Sequence, residues 1–485
     1  MKKIFLVLMI GLISLSIFNG CEDRTELTAP VEPAFTTGSA DFTRVVSIGN
    51  SLTAGFQSNA LFESAQKYSF GSLIAKQTRS ANYVQPLISD PGYGGKINLT
   101  GFSNTTPPRP MFSYSPAQGG TPLLLTHAAP YNNLGVPGAI LYDVMDTTDF
   151  ATKSVMRANP FFQLVLRNPA LGKSIFEQAK NLAPTFLLVW IGNNDVLGYA
   201  TSGGTRGTDA TGKLPSNDAV FGFLYNQMVT RIATELPNTK AVFGNIPNVT
   251  SVPYFKAVGP SVAVEIKKAQ AVYPTLPGLV YAKTDAPYVG VATVEALASF
   301  QTLLTLTSST YASYLGQPTG KYYVDKGLAI PAGVDTTKPF GFDPTNPFPN
   351  EFVLDPDEMT IANNAVTAFN NTISTLVSAN TNFALFDANA YMTQLSATGL
   401  TIDGIGFGSS FITGGVFSYD GVHLSDQGNA IVANQIINVI NTKFSAAIPR
   451  INLSTIPGMK FSKKIQLDNL GLPIFPVGAL DNLYL

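Results

Sequence analysis

Residues 45–55 read VVSIGNSLTAG, and this stretch decides the fold class. Its first part, Val45–Ile48, is a short apolar run without polar alternation, which is typical of a strand buried on both faces of a parallel sheet. Three similar runs follow at Phe186–Ile191, Ala241–Ile246 and Phe383–Ala388. We therefore expect these four runs to form strands of one parallel sheet.

Helical patterns lie between and after these runs. The sequence Asp355-Pro356-Asp357-Glu358 combines an N-cap, a proline at the first helical position and a glutamate three residues after the cap. Apolar residues then recur on one helical face, and a second helix is expected to begin near Ser425. Strands that alternate with helices predict a layered α/β fold.

Composition narrows the possible functions. The chain of 485 residues is 45% apolar and 13% charged, about half the usual charged share of about 25%, so it can bury a large core. Its 30 basic and 31 acidic residues provide no basic stripe, which argues against nucleic-acid binding. One cysteine and two histidines exclude a disulfide framework and disfavour a metal centre, so we expect no cofactor and no metal.

The N-terminus has the pattern of a secretory signal. Lys2 and Lys3 precede the apolar run Ile4–Phe18, which is too short to span a bilayer comfortably. A short membrane anchor and a buried strand are the alternative interpretations. Cys21 follows a small glycine and resembles the lipidated cysteine of bacterial lipoproteins, although Phe18 stands where leucine is usual. That resemblance implies a signal peptide over 1–20 and membrane attachment through acyl chains on Cys21.

The position of Ser51 is favourable for chemistry. It directly follows the first predicted strand, and ligands of parallel α/β sheets bind at the carboxyl ends of the strands. A serine there can expose its hydroxyl while backbone N–H groups face an oxyanion. The alternative is that Asn50 or Ser51 merely caps a helix.

Asp420 and His423 form a second candidate. An aspartate three residues before a histidine on one turn places both side chains on the same side, so the carboxylate can fix the imidazole tautomer. The alternative is a surface histidine with an incidental neighbour. The other histidine, His127, has no carboxylate close in sequence, and we interpret it as structural.

Two further segments could supply hydrogen-bond donors. Asn194, in the cluster Gly192-Asn193-Asn194-Asp195, follows the second predicted strand and could present an amide at the top of the sheet. Such residues are also ordinary turn formers. Gly138, in a glycine-rich turn that starts at Asn133, could bring a backbone N–H to the same place, although this signal is weak alone.

Together these four segments resemble, in chain order, the motif blocks of the SGNH hydrolases, also called GDSL esterases and lipases. The resemblance implies a flavodoxin-like three-layer α/β/α fold. It also implies a catalytic triad of Ser51, His423 and Asp420, and an oxyanion hole formed by Ser51, Gly138 and Asn194. Asn50 departs from the aspartate of the family's first block, and Leu424 replaces the usual proline of the last block.

The resemblance covers residues 41–447 and leaves other parts of the chain outside the motif blocks. A polar tether is expected over 21–40, insertions near 92–130, 198–216 and 255–350, and a C-terminal tail over 448–485. The last of the three insertions could form a lid over the site. No internal repeat has a fixed period.

Three competing motifs fail. An α/β-hydrolase elbow needs Gly-x-Ser-x-Gly, but position 53 is threonine and no such pentad occurs in the chain. The segment Leu171–Ser174 lacks the first glycine and the preceding strand of a phosphate-binding loop. Gly404–Gly408 lacks the glycine spacing of a dinucleotide fingerprint.

The expected function is hydrolysis of carboxylic esters, with lipid or other acyl esters favoured. Attachment through Cys21 would place the domain in the cell envelope, at the outer membrane and outside the cytoplasm. Two alternatives stay open: a carbohydrate O-acetyl esterase and a non-catalytic lipoprotein that binds glycan or lipid. Six aromatic residues could line an acyl channel or belong to the core: Tyr254, Phe255, Tyr273, Tyr281, Tyr288 and Phe300.

Overall fold

The computed structural model describes residues 34–285, 288–458, 470–481 and 483. The expected signal peptide, Cys21 and most of the expected tether lie outside these ranges. The main compact unit spans Thr37–Leu485. No helix among the described residues combines the length and apolarity needed to cross a bilayer.

The strands in the described part of the chain are, in order, β1 (Val45–Gly49), β2 (Ile97–Phe102), β3 (Pro110–Tyr114), β4 (Asn133–Gly135), β5 (Phe186–Trp190), β6 (Lys240–Gly244), β7 (Leu279–Ala282), β8 (Val289–Ala292), β9 (Leu303–Leu304), β10 (Val353–Leu354), β11 (Phe383–Phe386), β12 (Leu400–Ile402) and β13 (Ile405–Phe407).

The α-helices are α1 (Ser51–Ala54), α2 (Glu63–Gln66), α3 (Phe70–Gln77), α4 (Phe150–Met156), α5 (Phe161–Leu166), α6 (Ile175–Asn181), α7 (Asn194–Thr201), α8 (Asp218–Glu235), α9 (Pro253–Lys256), α10 (Gly259–Val272), α11 (Val294–Ala298), α12 (Ser309–Ala312), α13 (Lys321–Asp325), α14 (Pro356–Ser378), α15 (Ala388–Thr398) and α16 (Asp426–Phe444). Short 3₁₀ turns include Leu141–Val144 and Val249–Ser251.

The central sheet is parallel throughout. Its five strands stand in the order β4-β1-β5-β6-β11. Numbered along the chain this order is 2-1-3-4-5, one of the two common doubly wound arrangements. The sequence prediction of an α/β fold with a parallel sheet is therefore confirmed. The edge strand β4 escaped prediction, because its three residues are too few to show an apolar period.

Helices cover both faces of this sheet. On one face the ring of Phe70 in α3 lies 5.6 Å from the ring of Trp190 in β5. On the other, Tyr225 in α8 lies 6.5 Å from Phe243 in β6. Phe243 is in register with Val189, the residue before Trp190, so the two rings point to opposite faces. This arrangement is compatible with a three-layer α/β/α fold.

The expected insertions carry structure of their own. Residues 92–130 include the antiparallel hairpin β2–β3, and residues 255–350 include the hairpin β7–β8 with helices α10 to α13. The expected polar loop over 198–216 begins inside α7, which ends at Thr201. The 255–350 segment is therefore a folded part of the main unit.

The segments that flank the expected hydrolase region on both sides also contact the main unit. At the start, Ser39 donates its backbone N–H to the carbonyl of Phe444 at 2.8 Å, so the last residues of the expected tether contact the end of α16. In the C-terminal tail, Phe475 stacks on Phe112 of β3 with ring centroids 4.4 Å apart. Residues 471–475 of the tail thus lie along the β2–β3 hairpin, whereas Ile448 and Ile451 hydrogen-bond to Asn441 and Asn434 of α16.

The short helix α1 lies directly against β4. Asn133 donates its side-chain N–H to the carbonyl of Thr53 at 2.8 Å. A Cβ added at Gly135 would stand 2.4 Å from the backbone nitrogen of Ala54, closer than real Cβ atoms approach. Glycine at position 135 therefore permits the approach of α1, the helix that begins with Ser51.

We expect Gly135→Ala to destabilise the fold by about 1–3 kcal/mol, because the added methyl forces α1 away from β4. The control is Gly406→Ala, since a Cβ at Gly406 meets nothing within 4 Å. Chemical denaturation of both variants measures the difference. Equal free energies of unfolding for the two variants would show that the close approach of α1 to β4 is unimportant.

Candidate active site

Three loops meet at one edge of the central sheet. Strand β1 leads into Ser51, β4 leads into the turn that contains Gly138, and β5 leads into Asn194. The strands are parallel neighbours in the order β4-β1-β5, so their carboxyl ends lie side by side. The strand order reverses here, which is where doubly wound sheets bind ligands.

Ser51 is free of the capping role that the sequence left open. Asn50 performs it, because its side-chain oxygen accepts the N–H of Leu52 at 3.1 Å. Ser51 is then the first residue of α1, and only 2% of its surface is exposed. Within the described residues its hydroxyl has no hydrogen-bond partner, so it is available to a bound molecule.

Asp420 and His423 are joined as the sequence predicted. The Nδ1 atom of His423 lies 3.0 Å from Oδ2 of Asp420, so this ring nitrogen carries the proton and donates a hydrogen bond to the carboxylate. The other oxygen of Asp420 accepts the backbone N–H groups of Val422 at 2.9 Å and His423 at 2.8 Å. Both side chains are fully buried, which excludes a loose surface histidine.

The environment of Asp420 keeps it ionised. Burial alone raises the pKa of this carboxyl. The charge and hydrogen bonds of His423 and the backbone N–H of Val422 outweigh burial, and the pKa of Asp420 lies below its ordinary value. A buried carboxylate is thus fixed beside the imidazole, where it stabilises a positive charge on the ring.

The second ring nitrogen of His423 is left without a protein partner in the described part of the chain. This Nε2 atom is also buried. Ser51, Asn194 and His423 all line one cavity. The structure therefore brings together a hydroxyl and an imidazole that the sequence places far apart.

Gly138 lies in a turn that distant side chains hold in place. Its φ of 79° is in the left-handed region, which glycine adopts without steric cost. Arg157 donates to the carbonyl of Gly138 at 3.2 Å, and Asn194 donates to the carbonyl of Ala139 at 2.9 Å. These bonds point the turn's carbonyls at their partners, and the N–H of Gly138 has no partner among the described residues.

Unsatisfied polar atoms cluster around Ser51. Buried polar side-chain atoms in folded proteins nearly always have hydrogen-bond partners. Four side chains of this cavity nevertheless keep unpartnered atoms among the described residues: Nδ2 of Asn50, both polar atoms of Asn193, Oδ1 of Asn194 and Nε2 of His423. These atoms are available to hydrogen-bond water or a bound molecule.

Two cavities meet at Asn194. The first, here called the apolar cavity, has a volume of about 80 Å³ and contains Ser51 and His423 in its wall. The second, here called the polar cleft, has a volume of about 440 Å³ and contains Gly138 in its wall. Asn194 lines both, so it connects the cavity that contains Ser51 with the cleft that contains Gly138.

Asn59 belongs to the site although the sequence analysis missed it. Its backbone N–H donates to Oδ2 of Asp420 at 2.8 Å, the same oxygen that binds His423. Its φ is 62°, a conformation that asparagine tolerates better than most residues. Its side chain donates to the carbonyls of Gly94 at 3.2 Å and Ala479 at 3.3 Å. The only sequence signal was an asparagine in a polar turn, which is too common to identify it.

Asp195 joins two segments next to the site by hydrogen bonds. Its carboxyl oxygens accept the N–H of Leu141 at 2.8 Å and the hydroxyl of Ser216 at 2.7 Å. Burial raises the pKa of Asp195 to about 7, and these hydrogen bonds oppose the shift. Asp195 thus connects the start of α7 to the loop that follows Gly138.

The remaining candidates lie elsewhere. His127 stacks on Tyr131 with ring centroids 5.9 Å apart and lines neither cavity, in agreement with a structural role. Among the aromatic residues considered for an acyl channel, Tyr273 and Tyr288 are 66% and 69% exposed. Tyr254 alone of the six lines either cavity, and it lies in the polar cleft. Among the described residues, no group of three or more His, Cys, Asp or Glu side chains could hold a metal ion.

Comparison of the chain with protein-family models, with curated proteins and with solved structures found no match.

We expect the stability of the wild type relative to Asp195→Asn to fall as the pH rises. In the folded protein Asp195 keeps its proton up to about pH 7, whereas the unfolded chain loses it near pH 4. Between these two pH values the folded state binds one proton more than the unfolded state. The stability that this proton adds therefore decreases as the pH rises and is lost by about pH 7. Between pH 5 and pH 8 the difference should change by roughly 2–3 kcal/mol.

Chemical denaturation at the two pH values measures this effect. Asp218→Asn, an equivalent change on the exposed first turn of α8, is the control. A difference between wild type and Asp195→Asn that stays constant with pH would contradict the assignment of a neutral, buried Asp195.

Proposed function

We propose that this protein is a serine ester hydrolase of the SGNH type, with a flavodoxin-like three-layer fold. The observation that carries the proposal is the cluster around Ser51. Ser51 and His423 line one cavity, neither the Ser51 hydroxyl nor Nε2 of His423 has a hydrogen-bond partner among the described residues, and a buried carboxylate binds the other ring nitrogen. This is the arrangement of a nucleophile, a general base and an orienting acid.

The reaction begins at Ser51. Nε2 of His423 accepts the hydroxyl proton while the Ser51 oxygen attacks the ester carbonyl carbon. The imidazolium that results is stabilised by Asp420, which stays ionised because its pKa is low. The C–O bond to the alcohol then breaks, and His423 returns its proton to the departing alkoxide oxygen. An acyl group remains on Ser51.

The second half of the reaction repeats these roles with water. His423 takes a proton from water as the water oxygen attacks the acyl carbon, and the proton then returns to Ser51 as the ester bond to Ser51 breaks. The products are one carboxylic acid and one alcohol for each ester and water consumed. No oxidant, reductant or cofactor enters the reaction.

The oxyanion of each tetrahedral intermediate is assigned to three donors. They are the backbone N–H groups of Ser51 and Gly138 and the side-chain amide of Asn194. The side-chain amide of Asn194 donates one N–H to the carbonyl of Ala139, and its second N–H is available to the oxyanion. Donors that are already fixed stabilise developing charge without reorganising.

Asn50 fits this function although it departs from the family motif. Its side chain caps α1, so it fixes the orientation of the residue that follows it. An aspartate at this position is not the proton acceptor in the family, and the base here is assigned to His423. The departure therefore leaves the proposed mechanism intact.

Anchoring through a lipidated Cys21 at the outer membrane stays part of the proposal. It would hold the domain against a membrane surface, outside the cytoplasm. The competing function is a lipoprotein that binds lipid or glycan without cleaving it. The two functions differ in whether Ser51 reacts, so a covalent probe separates them.

Ser51→Ala should abolish hydrolysis of p-nitrophenyl acetate and labelling by a fluorophosphonate, because it removes the nucleophile. The wild type should be labelled at Ser51, as mass spectrometry of its peptides would show. Circular dichroism is the control for folding of the variant. Labelling at another residue, or hydrolysis that persists in Ser51→Ala, would overturn the assignment.

Asn194→Ala should lower kcat by about 10²–10³ and change KM little, because the lost donor acts mainly on the transition state. Steady-state kinetics with p-nitrophenyl acetate measures both constants. A change in KM at unaltered kcat would mean that Asn194 only binds the substrate in its ground state.

A further inference from the structure

We propose that the ester substrate joins a short acyl group, of about two to four carbons, to a polyhydroxylated alcohol such as a saccharide. The proposal rests on the proposed function and adds the substrate class. It is carried by the contrast between the apolar cavity and the polar cleft, which meet at Asn194.

The apolar cavity is suited to an acyl chain. Beyond Ser51, Asn194 and His423, its wall is formed mainly by apolar side chains of the sheet edge and of helices α15 and α16, such as Met392, Leu395 and Val432. Met392 and Leu395 are 7% and 3% exposed. An acyl chain there would displace no charge and would lose contact with water.

The size of the cavity limits the chain. Its volume of about 80 Å³ corresponds to roughly three water molecules at about 30 Å³ each. A methylene group occupies nearly the same space as a water molecule, so the cavity is filled by about three carbons. Longer chains would have to displace close-packed side chains, which is costly in a protein interior.

The polar cleft is suited to the alcohol half. Hydroxyls of Tyr254 and Thr307 line it and lie 3.4 Å from each other. Lys326 and Asp481 form an ion pair of 2.7 Å in its wall, and the exposed Arg206 adds a further cation. A saccharide can exchange hydrogen bonds with these groups, whereas a long alkyl chain would remove water from them and offer no hydrogen bond in return.

The position of Asn194 fixes which half lies where. In the proposed reaction the ester carbonyl carbon bonds to Ser51 and its oxygen accepts a hydrogen bond from Asn194, the residue that lines both cavities. The two substituents of that carbon then point in different directions. The apolar cavity receives the acyl chain, and the polar cleft receives the alcohol. Long-chain lipid esters, favoured from the sequence, fit this division less well.

The first experiment varies the acyl chain at a constant alcohol. Values of kcat/KM are measured for p-nitrophenyl acetate, butyrate, octanoate and laurate. The wild type should be most active on the acetate or butyrate and should lose at least tenfold by octanoate. Leu395→Ala should raise the octanoate-to-butyrate ratio about sixteenfold, because it makes room for about two further methylenes and each buried methylene adds a factor of about four.

Matched variants distinguish an effect on the acyl-binding cavity from a general loss of stability. Leu297→Ala makes the same change at a fully buried residue outside both cavities, so it should leave the chain-length ratio at the wild-type value. Ala388→Leu adds volume to the wall of the apolar cavity and should shift the preference toward acetate. A ratio that none of the cavity variants moves, with hydrolysis still dependent on Ser51, would refute the acyl assignment and leave the esterase proposal standing.

The second experiment varies the alcohol at a constant acetyl group. Acetylated xylotriose should be hydrolysed with a higher kcat/KM than hexyl acetate. Thr307→Val should lower the xylotriose-to-hexyl ratio about fivefold, because it removes a hydroxyl from the cleft wall. Faster turnover of hexyl acetate, or of a trilaurin emulsion, would overturn the saccharide assignment in favour of a lipid. Absence of any Ser51-dependent hydrolysis would instead overturn the proposed function itself.

Discussion

The hydrogen bond between Asp420 and His423 is the constraint on which the site depends. The carboxylate is completely buried, and a buried charge is tolerated only when its oxygens are well bonded. Four donors meet this need: Nδ1 of His423 and the backbone N–H groups of Asn59, Val422 and His423. Because Nδ1 is occupied, Nε2 is the nitrogen left for chemistry beside Ser51.

The parallel sheet supplies the other half of the arrangement. Its 2-1-3-4-5 strand order places the ends of β4, β1 and β5 next to each other, so one edge presents Gly138, Ser51 and Asn194. Hydrogen bonds and packing within the protein hold the proposed oxyanion donors in place. Arg157 and Asn194 bind the carbonyls of the Gly138 turn, and Gly135 lets α1 approach β4. Rigid placement of this kind is what stabilisation of an oxyanion requires.

Much of this could be predicted from the sequence, and the reasons are local. Buried strands such as Phe186–Trp190 are continuous apolar runs, and the pairing of Asp420 with His423 lies within one turn. Contacts between distant segments gave no such signal. Asn59 and Asp420 are far apart in sequence and come together only when the chain folds. The C-terminal tail contacts Asn59 through the carbonyl of Ala479. The division into an apolar cavity and a polar cleft likewise depends on side chains from many elements.

The two histidines of the chain allow a direct test of the central claim. In protein labelled with ¹⁵N-histidine and carrying His127→Gln, all imidazole signals come from His423. The account predicts a proton bound to Nδ1 at neutral pH, protected from exchange and displaced to low field by the carboxylate, that disappears in Asp420→Ala. A spectrum in which the His423 ring carries its only proton on Nε2, or exchanges as freely as an imidazole in water, would contradict the account.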